Sequence, residues 1–174
     1  MTTTELLLII GFYSVAFAVA VYFTRAKARR ATASIAAGAV FGVIGMWSIS
    51  LGESQGWWRV PRPSTASFYA LLLIGFAISC AVTYLVLWRV VRRFGTRGLW
   101  LCVLGTAILG PPRDYLIAAR FPAWMTFSQG AAPVLADAAV YVLLIVVGYG
   151  VMRVVGGAAE QDALSRSIEP ATQP

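Results

Sequence analysis

Acidic residues are scarce in this chain, seven among 174, and three of them fall where acids are costly. Glu53 precedes a tryptophan pair in ESQGWWRV, Asp114 follows two prolines and an arginine in GPPRDY, and Asp137 lies in PVLADAAVYV. A carboxyl group in low-dielectric surroundings has a raised pKa and can donate a proton near neutral pH. A second carboxylate nearby drives the two pKa values apart, giving one acid and one base. Ring faces beside such a pair stabilise developing positive charge. Together these residue types point to proton-initiated chemistry on a lipophilic, isoprenoid-like substrate: cyclisation, alkene hydration or epoxide opening. Glu53 and Asp114 are the acid and base candidates, with Asp137 as a third catalytic carboxyl. Arg113 tunes Asp114, while Trp57, Trp58 and Trp124 form walls. Arg59, Tyr115 and Tyr141 complete the substrate-binding set, Tyr141 lying at i+4 from Asp137 on one helix face.

The same residues fit a second, non-catalytic reading. Arg59, Arg62, Arg113 and Arg120 can pair with Glu53, Asp114 and Asp137 to pin loops to the bundle. The rings of Trp57, Trp58, Trp124, Phe121 and Phe127 then form an interfacial aromatic belt. On that reading the chain is an accessory subunit, or binds a lipid or a partner through its arginines and tryptophans.

A third reading pairs Asp114 with Asp137 as an aspartyl dyad that activates water for peptide hydrolysis within the membrane. Over residues 110–150, the segment PPRDY…PVLADAAVYVLL resembles the end of bacterial signal peptidase II. There too an aspartate near one helix end is followed about twenty residues later by another, preceded by alanine, that opens the last helix. This chain departs from that pattern in having Tyr115 after Asp114, no asparagine before Ala136, no upstream signature and five apolar spans rather than four.

The elements that must position these residues follow from composition. Hydrophobic residues make up 59% of the chain and charged residues 12%, more apolar surface than a soluble domain of this size can hide. The expected fold class is an all-α, polytopic membrane bundle of five helices, with spans near 5–24, 33–51, 67–88, 98–112 and 132–152. These form one membrane domain over residues 1–157, followed by a flexible cytoplasmic tail over 158–174. The opening MTTTE lacks a positive n-region, so the first span reads as an anchor. The setting is the cell membrane, crossed several times, and the bilayer itself is the first expected partner.

The net charge of +7 sorts by topology. Arg25, Lys27, Arg29 and Arg30, then Arg89, Arg92, Arg93 and Arg97, then Arg153 and Arg166 all follow or separate apolar runs, as cytoplasmic loops do. The N-terminus therefore faces out and the C-terminus in, and the loops around 52–66 and 113–131 face out with the acids. No basic groove or ring platform points to nucleic acid. Histidine is absent, which excludes His-ligated haem and Ser-His or Cys-His nucleophile pairs. Cys80 and Cys102 read as small core residues, and no metal or cofactor is expected.

Two packing expectations complete the reading. Ser34, Gly38 and Gly42 stand four residues apart, a spacing that lets helix backbones approach within lipid. This serves packing inside the chain first, and a homo-oligomer through the Gly38/Gly42 face second. From Gly98 to Gly110 a helix reaches only ~20 Å, against a ~30 Å hydrocarbon core. The fourth span is accordingly expected to stop at Pro111-Pro112 and open a polar cavity for Arg113 and Asp114. If it runs on to residue 120 it reaches ~34 Å with the pair inside a kinked span.

Overall fold

A threonine followed three residues later by glutamate starts the first helix. Thr2 accepts from the Glu5 N–H at 3.2 Å, and Glu5 reaches back to the Thr2 N–H at 2.7 Å, so two orphan donors are satisfied together. The computed structural model describes residues 2–159. They form helices α1 (Thr3–Thr24), α2 (Ala28–Ser54), α3 (Ala66–Arg120) and α4 (Ala131–Gly156), with two-residue strands β1 (Trp58–Arg59) and β2 (Thr126–Phe127). All four helices are long and apolar enough to cross a membrane. Large apolar side chains such as Leu8, Phe12, Leu101 and Leu135 stand exposed on the outside, as on a bundle whose solvent is lipid. Residues 160–174, and with them nearly all of the expected tail, lie outside the described residues.

At 55 residues, α3 would span ~83 Å if straight. It is not straight. Gly95 has φ 60° and ψ −148°, non-helical torsions in a region that favours glycine. The flanking segments both lie on α4: the Tyr84 hydroxyl donates to the Leu144 carbonyl at 2.9 Å, and Gly110 abuts the Tyr141 ring. Residues 84 and 110 would stand ~39 Å apart on one rod, yet their partners on α4 are neighbours within a turn. The chain therefore doubles back at Gly95. Tyr84, Leu87, Trp88, Val91, Val103, Ile145 and Met152 fill the core between the two arms and α4, and α2 adds Ala37 and Phe41.

The expected stop at Pro111-Pro112 is not observed. The helix continues through both prolines to Arg120. Proline lacks the N–H that would bond four residues back, but its fixed φ is itself helical. Close packing accompanies this continuity, since Pro111 is buried and a side chain at Gly110 would enter the Tyr141 ring. The polar cavity predicted at the proline pair is thus replaced by a continuous helix carrying Arg113 and Asp114 on its flank.

The Gly38/Gly42 face is used within the chain. A Cβ at Gly38 would collide with the Ala77 backbone of α3, and one at Gly42 would meet Leu73 and Phe76. This is the packing inside the chain that the small-residue spacing led one to expect first.

The two ends of the bundle differ chemically. At one end α1 begins, and the connections 55–65 and 121–130 meet through β1 and β2, which pair antiparallel with Trp58 opposite Phe127 and Arg59 opposite Thr126. At the other end Arg30, only 4% exposed, donates to the Gly157 and Ala158 carbonyls at 2.7 and 3.0 Å and lies 5.3 Å over the Trp88 ring. It caps the last turn of α4, where unsatisfied carbonyls concentrate negative charge.

Candidate functional site

Glu53 sits on the last turn of α2, and the chain turns immediately after it at Gly56 (φ 69°). This turn returns the 57–62 segment beside its own helix. The Arg62 guanidinium forks onto Glu53, Nη1 to Oε1 at 2.6 Å and Nη2 to Oε2 at 2.8 Å, while the Val60 N–H donates to Oε1 at 3.0 Å. Both carboxylate oxygens are engaged, a bidentate geometry that favours the ionised form. The Glu53 hydrogen bond in turn raises the Arg62 pKa above the ordinary arginine range. The Trp58 indole N–H donates to the Ile49 carbonyl at 3.3 Å, and its ring covers Gly52, where a side chain would not fit. Glu53 thus holds a loop.

Asp114 is also satisfied, in a different way. Arg113 donates to its Oδ1 through Nε and Nη2, at 2.9 and 2.6 Å, and the Tyr141 hydroxyl donates to Oδ2 at 2.7 Å. Arg113 Nη2 also donates to the Tyr141 oxygen, and the guanidinium lies 5.5 Å from the centre of that ring. The Asp114 side chain is 15% exposed and that of Arg113 62%. Arg113 therefore does not point into an enclosed cavity, as the sequence reading expected. It lies on the flank of the bundle, within electrostatic reach of Tyr13 on α1 and Cys80 on the first arm of α3.

Asp137 differs from both. It lies on α4 one turn past Pro133, is 8% exposed, and its Oδ2 has no hydrogen-bond partner. Asp114 and Arg113 are within electrostatic reach of it. The Tyr115 hydroxyl, on the adjoining face of α3 and within reach of Asp137, is likewise buried and unpartnered. Buried polar atoms are nearly always paired, so two orphans in one neighbourhood call for an explanation. The Tyr115 ring stacks on Phe127 with centroids 4.3 Å apart and planes 16° from parallel, and Phe127 meets Trp58 edge to face at 6.0 Å. Phe127 also lines a cleft of about 630 Å³, together with Glu53, Gly56, Trp58, Arg59, Thr126 and Ser128.

The structure brings Asp114, Asp137, Arg113, Tyr115 and Tyr141 together on α3 and α4. It puts Glu53, Trp58 and Arg59 around the neighbouring cleft. Trp57 contributes backbone, its carbonyl accepting from the Ser128 N–H at 2.9 Å and hydroxyl at 3.1 Å. Trp124 stacks on Phe121 and lies within electrostatic reach of Glu5 at the start of α1. Phe127 joins the two groups, which its reading as one ring of an aromatic belt did not anticipate. The signal lay in WWRV and MTFS, two short stretches rich in aromatic and β-branched residues that suit a strand pair. Among the described residues no three Asp, Glu, Cys or His side chains form a group able to hold a metal ion. The chain matches no family model, no curated protein and no solved structure.

Proposed function

We propose that this chain crosses the cell membrane five times, with its acidic end on the non-cytoplasmic side, and that Asp137 supplies acid–base chemistry to a lipophilic, isoprenoid-like substrate. The observation carrying the reading is the buried, unpartnered Asp137 Oδ2, with the buried, unpartnered Tyr115 hydroxyl within its electrostatic reach. In a membrane interior, polar groups left without partners are costly and are functional suspects by default. The role assigned from sequence to Glu53 and Asp114 passes to Asp137, because the other two carboxylates already have all their oxygens engaged. Protonated Asp137 gives its proton to an alkene carbon or epoxide oxygen, and the resulting cation is quenched by loss of a neighbouring proton or by water. Tyr115, Phe127 and Trp58 offer ring faces to that cation. Arg113, exposed on the flank, binds a polar substrate headgroup, and Tyr141 with Asp114 holds Arg113 in place. The five crossings are supported by the reversal at Gly95, and their direction by the basic loops at 25–30 and 89–97.

The test is turnover of geranylgeranyl epoxide by protein reconstituted in lipid vesicles, followed by chromatography and mass spectrometry of the products. Wild type forms diol or cyclised isomer, and Asp137→Asn loses about 100-fold or more of the rate, the usual size of a general-acid contribution. Arg113→Gln raises KM more than it lowers kcat. Equal product formation by wild type and Asp137→Asn would overturn the assignment.

A docking role is favoured by a separate observation, the neutralisation of Glu53 by Arg62 from the following loop and of Asp114 by its chain neighbour Arg113. On that reading Asp137→Asn leaves function intact, and Arg113→Ala abolishes partner binding. An aspartyl-dyad peptidase draws support from the electrostatic proximity of Asp114 and Asp137. It requires Tyr141 to release Asp114, so Tyr141→Phe would accelerate peptide cleavage.

A further inference from the structure

The opposite end of the bundle has a cavity of its own. A cleft of about 370 Å³ is lined by Arg89, Val90, Arg92, Arg93 and Phe94, on the last turns of α3 before the reversal at Gly95. Its volume falls within the ~300–1,000 Å³ range of small-molecule sites. Arg89, Arg92 and Arg93 stand at i, i+3 and i+4, so their charges share one helix face and repel one another. Arg92 and Arg93 lean on rings, 5.6 Å from the centre of Trp88 and 5.3 Å from that of Phe94. None of the four carboxyl side chains among the described residues, Glu5, Glu53, Asp114 and Asp137, belongs to this end. Arg29 and Arg30 engage the α4 terminus, and Arg30 shares the Trp88 ring with Arg92, so the cleft arginines adjoin that cap.

The lining asks for a ligand of mixed character. The lining surface is mostly apolar, and the three arginines that contribute to it carry guanidinium groups able to bind a phosphate through forked N–H pairs. Val90 and the 56% exposed Phe94 ring favour an aliphatic portion beside it. The reversal at Gly95 sets the cleft at the end of two apolar arms, the depth at which headgroups meet acyl chains. We propose that this cleft is a binding site for the phosphate and proximal acyl chains of an anionic phospholipid. The proposal rests on the membrane setting and needs no chemistry at Asp137, so the two stand or fall separately.

The test uses the full chain in phosphatidylcholine bilayers containing spin-labelled phosphatidylglycerol or spin-labelled phosphatidylcholine. The motionally restricted fraction gives the preference for the anionic lipid. The triple variant Arg89→Gln, Arg92→Gln, Arg93→Gln is compared with Arg25→Gln, Lys27→Gln, Arg97→Gln, which removes the same charge from the same end outside the cleft. Each basic residue near a membrane surface is worth about fivefold in diffuse attraction, so both triples lose that part alike, and the cleft triple loses about tenfold or more beyond the control because the forked phosphate contacts go with it. Equal losses in both triples would mean diffuse surface charge and would overturn the site, as would an unchanged preference in the cleft triple. Displacement of phosphatidylglycerol by millimolar inorganic phosphate would assign the cleft to a soluble anion and overturn the lipid. Should the glutamine triple fail to insert, Arg89→Lys, Arg92→Lys, Arg93→Lys keeps the charge and loses the forks. A several-fold drop there supports the site, and no change refutes it. Asp137→Asn leaves the preference at the wild-type value.

Discussion

Arg62 closes both oxygens of Glu53 from a loop nine residues away, with side-chain exposures of 13% and 29%. Asp137 on α4 is more deeply buried, and one of its oxygens meets nothing. One acid therefore fastens a loop while the other keeps an unpaired oxygen. The difference predicts different mutational signatures. Arg62→Gln strips the fork from a partly buried carboxylate and lowers stability by about 2 kcal/mol, read as a fall in the detergent midpoint of thermal unfolding. The Arg62 pKa is raised by Glu53, so its contribution is fully present below the unfolded arginine range and is lost only as pH rises through the still higher folded value. Between pH 6 and 10 the loss caused by Arg62→Gln is accordingly constant. A loss that grows or shrinks across that window would show that another titrating group carries the effect.

At the scale of elements, the prolines of α3 and the glycine before them act together. Gly110 allows the Tyr141 ring to lie directly on the α3 backbone, and this contact sets the height at which the Tyr141 hydroxyl meets Asp114 and Arg113. A Cβ at that position enters the ring, so Gly110→Ala costs about 1–3 kcal/mol through overpacking. Gly105, one and a half turns earlier on the same arm, has open space where its Cβ would go. Gly105→Ala instead stabilises by about 0.5–1 kcal/mol through helix propensity. Unfolding midpoints of the two variants therefore move in opposite directions, and similar shifts would refute the packing argument. Gly110→Ala also displaces Tyr141 from Asp114, so tyrosine fluorescence in a Trp-reduced background reports the broken bond.

At the scale of the whole molecule, charge separates along the bundle. Carboxylates, aromatic loops and the small β1–β2 ladder gather at one end, and the arginine cleft with the Arg30 cap lies at the other. In a bilayer this asymmetry orients the chain. In a background with Cys80→Ser and Cys102→Ser, a cysteine at Ser128 reacts with an impermeant maleimide added to intact cells. A cysteine at Thr96 reacts only after permeabilisation. The reverse pattern would invert the orientation, and labelling of both in intact cells would deny that the chain crosses the membrane between them.

Much of this architecture was legible in the residues. Long apolar runs demand helices in lipid, because no other open structure satisfies every backbone group there. The limits of α1, α2 and α4 fell near the predicted ones, and the clustering of Glu53, Asp114 and Asp137 toward one end followed from counting runs and basic loops. The fate of Pro111-Pro112 was not legible, because a proline pair stops a free helix but not one clamped by a ring packed on the adjacent glycine. Nor could spacing assign the acids. The Arg113–Asp114 pair was legible as chain neighbours, but whether Glu53 is paired depends on the arginine its loop returns, Arg62 after the turn at Gly56, and the Tyr141 bond to Asp114 depends on how α4 packs on α3. The sequence alone determined the helices and that they are apolar enough to cross a membrane, since this depends on transfer energies that add residue by residue. The tertiary structure alone decided which oxygen was left without a partner, because hydrogen bonds depend on distances between residues remote in the chain.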